Sequence, residues 1–100
     1  MKKKVLITRK LLKSNEEKAT KLWDAKLNPK DEIYSENKLV DLSKDCDGIL
    51  CSMTDKIDEK TINQLSNSIK ILSNFAVGFG NIDLKAAAKK KLLLLILLMF

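Results

Sequence analysis

Short apolar runs alternate with segments of helical character along most of this chain. The apolar runs have the length of buried strands and occupy residues 5–8, 47–52 and 69–75, with a weaker run at residues 26–28. A segment with helix-start signals follows each run. Strands that alternate with helices favour a parallel sheet, because parallel strands need a crossover connection between them. The sequence therefore predicts an α/β fold, a parallel sheet with helices on both faces.

Polar residues in front of the helical segments predict where the helices begin. Ser14, with Glu17 three residues later, has the pattern of a capping box. Ser35, Asp58 and Asp83 precede the other three helical segments and are typical N-caps. We expect four helices that start at these positions.

The first helical segment carries a short apolar face. Ala19, Leu22 and Trp23 follow the spacing i, i+3, i+4, which puts them on one side of a helix. This pattern predicts that Trp23 belongs to the core.

The charge distribution argues against nucleic acid as a partner. The chain has 19 Lys and Arg against 13 Asp and Glu, and the net charge of +6 is concentrated at its two ends. Arg9 is the only arginine, and the few aromatic residues do not alternate with the lysines. A lysine-rich surface exposed to solvent explains the charge, and we expect no nucleic-acid binding.

The apolar segments are too short to act as membrane or secretion signals. The run at residues 5–7 is cut short by Arg9 and Lys10, so no secretory h-region follows. The apolar tail, residues 92–100, has nine residues, whereas a spanning helix needs about 20. We expect a cytoplasmic protein without membrane contact.

The sequence contains no histidine, which removes the commonest general base and the commonest metal ligand. Cys46 and Cys51 fit no metal spacing. We expect both to be small buried thiols in a reducing compartment. The sequence therefore predicts no metal site.

The candidate functional segment is residues 73–83, Ser-Asn-Phe-Ala-Val-Gly-Phe-Gly-Asn-Ile-Asp. A strand, a glycine turn and a helix start place free backbone N–H groups together, which favours an anion. Because ligands bind beyond the carboxyl ends of parallel strands, we expect the loops after Thr8, Ser52 and Ala76 to meet there. Three interpretations stay open: a dinucleotide fingerprint, an ordinary turn, and a carboxylate cradle made by the amides of Val77 and Gly78.

The same segment, with Leu84 and the alanines at 86–88, resembles the D-isomer-specific 2-hydroxyacid dehydrogenases, closest to the glyoxylate and hydroxypyruvate reductase branch. Residues 4–9 resemble that branch's opening strand, and residues 47–51 with 54–58 resemble its third strand and following turn. The similarity covers about residues 3–90. Gly80 stands at the position where the members of this family most commonly have an aspartate. The resemblance implies a flavodoxin-like sheet, truncated before the nucleotide-binding domain.

The resemblance also implies a function, the reduction of 2-keto acids to D-2-hydroxy acids with NAD(P)H. It assigns the substrate carboxylate to the amides of Val77 and Gly78, and it makes Met53 an apolar wall near the substrate; core packing of Met53 is the alternative. The family's catalytic and cofactor-binding residues lie in later segments, so none is assigned here. The implied partner is a small 2-keto or 2-hydroxy acid, and the full-length family is expected to form homodimers.

On this interpretation, residues 1–91 are part of a substrate domain that binds no NAD(P) and is inactive alone. The alternative is a free-standing flavodoxin-like module that binds a small molecule or has a regulatory role.

Residues 92–100 match none of the elements that the alternation predicts. An allowed set of codons for residues 91–100, read in another frame, gives Ile-Ile-Val-Thr-Asn-Thr-Pro-Asp-Val, the strand and turn that the resemblance implies. We therefore expect the tail to be a frameshifted sequence.

Overall fold

A computed structural model describes residues 2–75 and 79–96 of the chain. Strands and helices alternate through them, in the order β1 (Lys4–Ile7), α1 (Lys13–Leu22), β2 (Asp24–Lys26), α2 (Glu36–Leu42), β3 (Gly48–Ser52), α3 (Glu59–Gln64), β4 (Ile71–Phe75), α4 (Leu84–Lys89) and β5 (Leu93–Ile96).

The strands form one five-stranded sheet in the order β2-β1-β3-β4-β5. Every pairing between neighbours is parallel. In the central pair, Gly48 lies opposite Ile71 and Ser52 lies opposite Phe75. The prediction of a parallel α/β fold is confirmed. All the strands point the same way, so the loops that leave them gather at one edge.

Helices cover both faces of the sheet, but unequally. On one face, α2, α3 and α4 bury side chains against the central strands; the buried core there consists of Leu6, Leu39, Cys46, Ile49, Cys51, Ile57, Ile62, Leu65, Ile69, Leu72, Ile82, Ala86 and Ala87. On the other face, Ala19 of α1 packs with Ile7 and Leu50. Both cysteines are buried free thiols, as expected.

Three of the predicted helix starts are confirmed. Ser35, Asp58 and Asp83 each accept a hydrogen bond from the backbone N–H three residues later. The capping box at Ser14 is wrong, because α1 starts at Lys13 with Leu12 as its N-cap and no side-chain cap bond. Glu16, in the first turn of α1, instead accepts a hydrogen bond from the backbone N–H of Leu11 at 3.3 Å, just before the helix begins.

The prediction that Trp23 belongs to the core is also wrong. Helix α1 ends at Leu22, and Trp23 has an extended backbone, with φ −134° and ψ 162°. The helical spacing that would place Trp23 beside Ala19 therefore ends one residue too early. Trp23 is 36% exposed and Leu22 is 64% exposed, whereas Ala19 is buried.

The structure differs from the sequence expectation at residues 93–96. These residues form β5, which pairs with β4 from Ile71↔Leu93 to Asn74↔Ile96. Residues 97–100 lie outside the described residues. The frameshift stays a prediction.

Helices long and apolar enough to cross a membrane do not occur in residues 2–75 and 79–96. The longest helix there, α1, has ten residues.

Candidate functional site at the carboxyl edge of the sheet

A cleft of about 730 Å³ lies where β1, β3 and β4 end. The described residues that line it come from the ends of those strands and the segments after them: Ile7, Thr8, Arg9, Lys10, Leu11, Leu50, Cys51, Ser52, Met53, Thr54, Phe75, Gly80 and Asn81. The prediction that these loops meet at one edge is confirmed for the described residues.

Asp55 ties the end of β1 to the end of β3. Its carboxylate oxygen Oδ2 accepts hydrogen bonds from the Thr8 hydroxyl and from the Ser52 N–H, the latter at 3.0 Å. Thr8 and Asp55 are both buried. Buried polar groups need such partners, because an unpaired one loses its hydration without compensation. The Asp55 bonds therefore fix the relative position of the first two loops.

Asn81 ties the end of β3 to the segment after β4. Its side-chain amide Nδ2 donates to the carbonyl oxygens of Ser52 and Asp55, both at 2.9 Å. Its own carbonyl oxygen accepts from the Ile57 N–H at 2.8 Å, and its Oδ1 accepts from Asn74 Nδ2 at 2.8 Å. Asn81 therefore holds the segment that follows residues 76–78 against the neighbouring loop.

Arg9 lines the cleft and forms an ion pair with Asp31. Its Nε and Nη2 donate to the two carboxylate oxygens of Asp31 at 2.7 and 3.1 Å, and its Nη1 donates to Thr54 Oγ1 at 2.7 Å. The hydrogen bond from Arg9, followed by that from the Lys10 N–H, lowers the pKa of Asp31 to about 2. These hydrogen bonds hold the charged guanidinium group of Arg9 in one orientation at the rim of the cleft.

Cys51 lies in the lining but is not a nucleophile. Burial, followed by the negative charge of Asp55, raises the pKa of its thiol to about 12. Because the thiolate is the reactive form, the thiol of Cys51 is inert near neutral pH.

The residues in the cleft suit a small organic anion. Arg9, which is ion-paired with Asp31, and Lys10 line the cleft together with the apolar side chains of Leu11, Met53 and Phe75. A ligand with an anionic end and a short carbon skeleton matches such a lining.

The site residues expected from the resemblance have different outcomes. Val77 and Gly78 lie outside the described residues, so their assignment to a carboxylate stays a prediction. Met53 lines the cleft and is 72% exposed, so the alternative that it packs in the core is wrong. Its contact with a substrate stays a prediction.

Sequence reasoning did not assign the roles of Asp55 and Asn81, which link the loops. The bonds that join the loops connect Asp55 to Thr8, and Asn81 to Ser52 and Asp55, which are 26 or more residues away in the chain. No local pattern in the sequence identifies partners at that distance.

The model of the family described as D-isomer specific 2-hydroxyacid dehydrogenase, catalytic domain, matches residues 5–96. The chain is 29% identical over 89 residues to a glyoxylate reductase of Korarchaeum cryptofilum, which covers 89% of this chain and 26% of that relative.

Two solved structures agree with the fold. A protein from Pyrococcus horikoshii OT3 has a TM-score of 0.85 and 26% identity, over 97% of this chain and 28% of that one. A 3-phosphoglycerate dehydrogenase from Entamoeba histolytica, solved with NAD+ bound, has a TM-score of 0.79 and 19% identity, over 96% of this chain and 33% of that one.

This chain spans about a quarter of the length of the curated relative just described. The family model covers most of the chain, and the two solved structures match the fold of at least 96% of it. The chain therefore belongs to the D-isomer specific 2-hydroxyacid dehydrogenase family and corresponds to part of its catalytic domain.

Proposed function

We propose that this chain is the N-terminal fragment of an NAD(P)-dependent oxidoreductase that reduces 2-keto acids of the glyoxylate and hydroxypyruvate type to D-2-hydroxy acids. The fragment supplies the binding of the substrate carboxylate. One observation carries the proposal: Asn81 bonds to the carbonyls of Ser52 and Asp55 and so joins two of the loops that form the cleft.

The carboxylate is held by the backbone N–H groups of Val77 and Gly78. In the sequence, Val77 and Gly78 fall between Phe75, at the end of β4, and Asn81. Phe75 and Asn81 both line the cleft. Peptide N–H groups without an internal partner favour a negative charge, as at the start of a helix. Met53 contacts the carbon skeleton of the substrate from the β3 loop.

The redox chemistry comes from outside this fragment. Reduction of a keto group needs a hydride donor and a proton donor. NAD(P)H supplies the hydride, and the nucleotide-binding part of a full-length enzyme supplies its site. The chain contains no histidine, and we assign it no catalytic residue. We expect the fragment alone to bind no NAD(P).

Titration of the 15N-labelled chain with glyoxylate tests this assignment by NMR. We expect saturable shifts of the Val77 and Gly78 amide signals with weak, roughly millimolar affinity, because one small anion makes few contacts. Gly78→Pro removes one of the two donors and should abolish these shifts.

Gly80→Ala is the matched control. In the part of the chain that the structure describes, a methyl group at Gly80 would have no heavy atom within 4 Å apart from those of its chain neighbours, so this variant should bind glyoxylate like the wild type. Shifts that map away from residues 75–81, or equal loss of binding in both variants, would contradict the proposed carboxylate site.

A further inference from the structure

The turn that follows β2 reaches the carboxyl edge of the sheet and is anchored there by Asn28. This side chain is buried, and its Nδ2 donates to the carbonyl oxygens of Thr8 and Glu32 at 2.8 and 2.7 Å. The Asp31 N–H donates to the Asn28 carbonyl oxygen at 3.0 Å and so closes the turn. Buried polar groups with their partners in place hold their surroundings rigidly. The position of Asp31 is therefore fixed relative to the end of β1.

Asp31 has a backbone conformation that is uncommon outside glycine. Its φ is 52°, in the left-handed region, which aspartate tolerates better than most residues. In that conformation its carboxylate accepts hydrogen bonds from Nε and Nη2 of Arg9 and from the Lys10 N–H, the last at 2.9 Å. Uncommon backbone conformations persist where surrounding contacts hold them, and they are concentrated at binding sites. These contacts make Asp31 a positioning residue for the Arg9 side chain.

The guanidinium group of Arg9 has more donors than these contacts use. A guanidinium carries five N–H groups. Within residues 2–75 and 79–96, two of them donate to Asp31 and one donates to Thr54 Oγ1. The other two lie one on each terminal nitrogen of a side chain that lines the cleft. Because Asp31 offsets the charge of Arg9, these donors favour an uncharged acceptor, such as a hydroxyl, over a second negative charge.

The hydrogen bond to Thr54 brings the Arg9 guanidinium to the loop that carries Met53. Thr54 follows Met53 directly in the chain, and both residues line the same cleft as Arg9. The function proposed above puts the carbon skeleton of the substrate against Met53, with its carboxylate in the segment after β4. A keto acid that extends from that segment past Met53 has its C3 end at the Arg9 side of the cleft.

We propose, on the basis of the function proposed above, that Arg9 donates a hydrogen bond to the C3 hydroxyl of a 3-hydroxy-2-keto acid, and that Asp31 orients Arg9 for this contact. The chain then prefers hydroxypyruvate to a keto acid that lacks this hydroxyl. A guanidinium held by Asp31 and Thr54 before the ligand arrives loses little side-chain freedom on binding. The hydrogen bond to the hydroxyl therefore adds to the affinity with little entropic cost.

A comparison of pyruvate with hydroxypyruvate tests the proposal. The two acids carry the same charge and differ by the C3 hydroxyl, so the ratio of their dissociation constants measures the contact with that hydroxyl. NMR titration of the 15N-labelled chain gives both constants from the amide signals of Val77 and Gly78. We expect hydroxypyruvate to bind about three- to tenfold more tightly than pyruvate, which is the range that one hydrogen bond supplies.

Arg9→Met removes the donors and should bring this ratio to about one. Lys44→Met is the matched control, because it removes one positive charge from an exposed ion pair with Asp41, between α2 and β3 at the opposite edge of the sheet; it should leave the ratio at the wild-type value. Asp31→Asn weakens the contact that orients Arg9, so it should lower the ratio without weakening the binding of pyruvate. A merely structural role of Asp31 would weaken the binding of both acids equally.

Circular dichroism of each variant checks that the fold is retained. If Arg9→Met loses structure, Arg9→Lys repeats the test, because it keeps the charge without the planar set of donors, and it should also lower the ratio. Equal binding of the two acids by the wild type, or a ratio that the Arg9 substitution leaves unchanged, would overturn the role of Arg9 and leave the carboxylate site standing. No shift of Val77 and Gly78 with either acid would overturn both.

Discussion

At the scale of single residues, the cleft is built by buried and half-buried polar side chains that join loops. Asp55 connects Thr8 to Ser52, and Asn81 connects the loop after β3 to the segment after β4. Arg9 adds an outer link between Asp31 and Thr54. Each link joins residues that are distant in sequence, so their effect is to position loops relative to one another.

Asn81→Ala should destabilise the chain by about 1–3 kcal/mol, because the partly buried carbonyl groups of Ser52 and Asp55 each lose the hydrogen bond from the Asn81 side chain. Asn63→Ala, at an exposed site in α3, is the control and should change the free energy of unfolding by no more than about 0.5 kcal/mol. Urea unfolding followed by circular dichroism measures both. An effect of Asn81→Ala as small as that of the control would show that the Asn81 bonds do not hold the loops.

At the scale of elements, the short helices depend on their ends. The helices α2, α3 and α4 have six or seven residues and begin with side-chain caps. Helices of this length are marginal without tertiary packing. Helix α1 is longer, has no side-chain cap at Leu12, and buries Ala19 against the sheet.

This difference predicts unequal effects of two cap substitutions. Asp83→Ala removes the acceptor for the Ala86 N–H at 3.0 Å and should cost about 1 kcal/mol of unfolding free energy. Ser14→Ala should cost nothing measurable, because Ser14 lies inside α1 and no cap bond is formed there. Chemical unfolding of the two variants side by side decides the point, and equal losses would restore Ser14 as a cap.

At the scale of the whole molecule, this chain is similar to about a quarter of the length of a glyoxylate reductase from Korarchaeum cryptofilum. Its cleft contains positive and apolar side chains, and its sequence has no histidine. Binding of a keto acid and transfer of a hydride are therefore expected to need different parts of a longer enzyme.

The isolated chain should accordingly catalyse no reduction. Purified protein mixed with NADH and glyoxylate should show no protein-dependent loss of absorbance, because we expect the chain to bind no NAD(P) and assign it no proton donor. A full-length glyoxylate reductase under the same conditions is the positive control. Turnover that purifies with the chain would contradict the proposal that hydride transfer needs another part of a longer enzyme.

The sequence alone determined the features that depend on near neighbours in the chain. The spacing of apolar runs predicted the parallel sheet, and the caps at Ser35, Asp58 and Asp83 predicted three helix starts. Both signals are local, because strand burial and N-capping involve residues within a few positions of one another. The resemblance carried by residues 74–84 identified the family.

Only the tertiary structure decided which residues meet. Trp23 follows a helical spacing but lies past the end of α1 and is partly exposed. Residues 93–96 had no helical or capping signal, and pairing with β4 made them a strand. The bond of Asp55 to Thr8 and the bonds of Asn81 to Ser52 and Asp55 join different loops, and they form only when the parallel strands bring those loops to one edge. Long-range contacts of this kind leave no periodic trace in a single sequence, because the spacing between partners is set by the loops and helices that separate them.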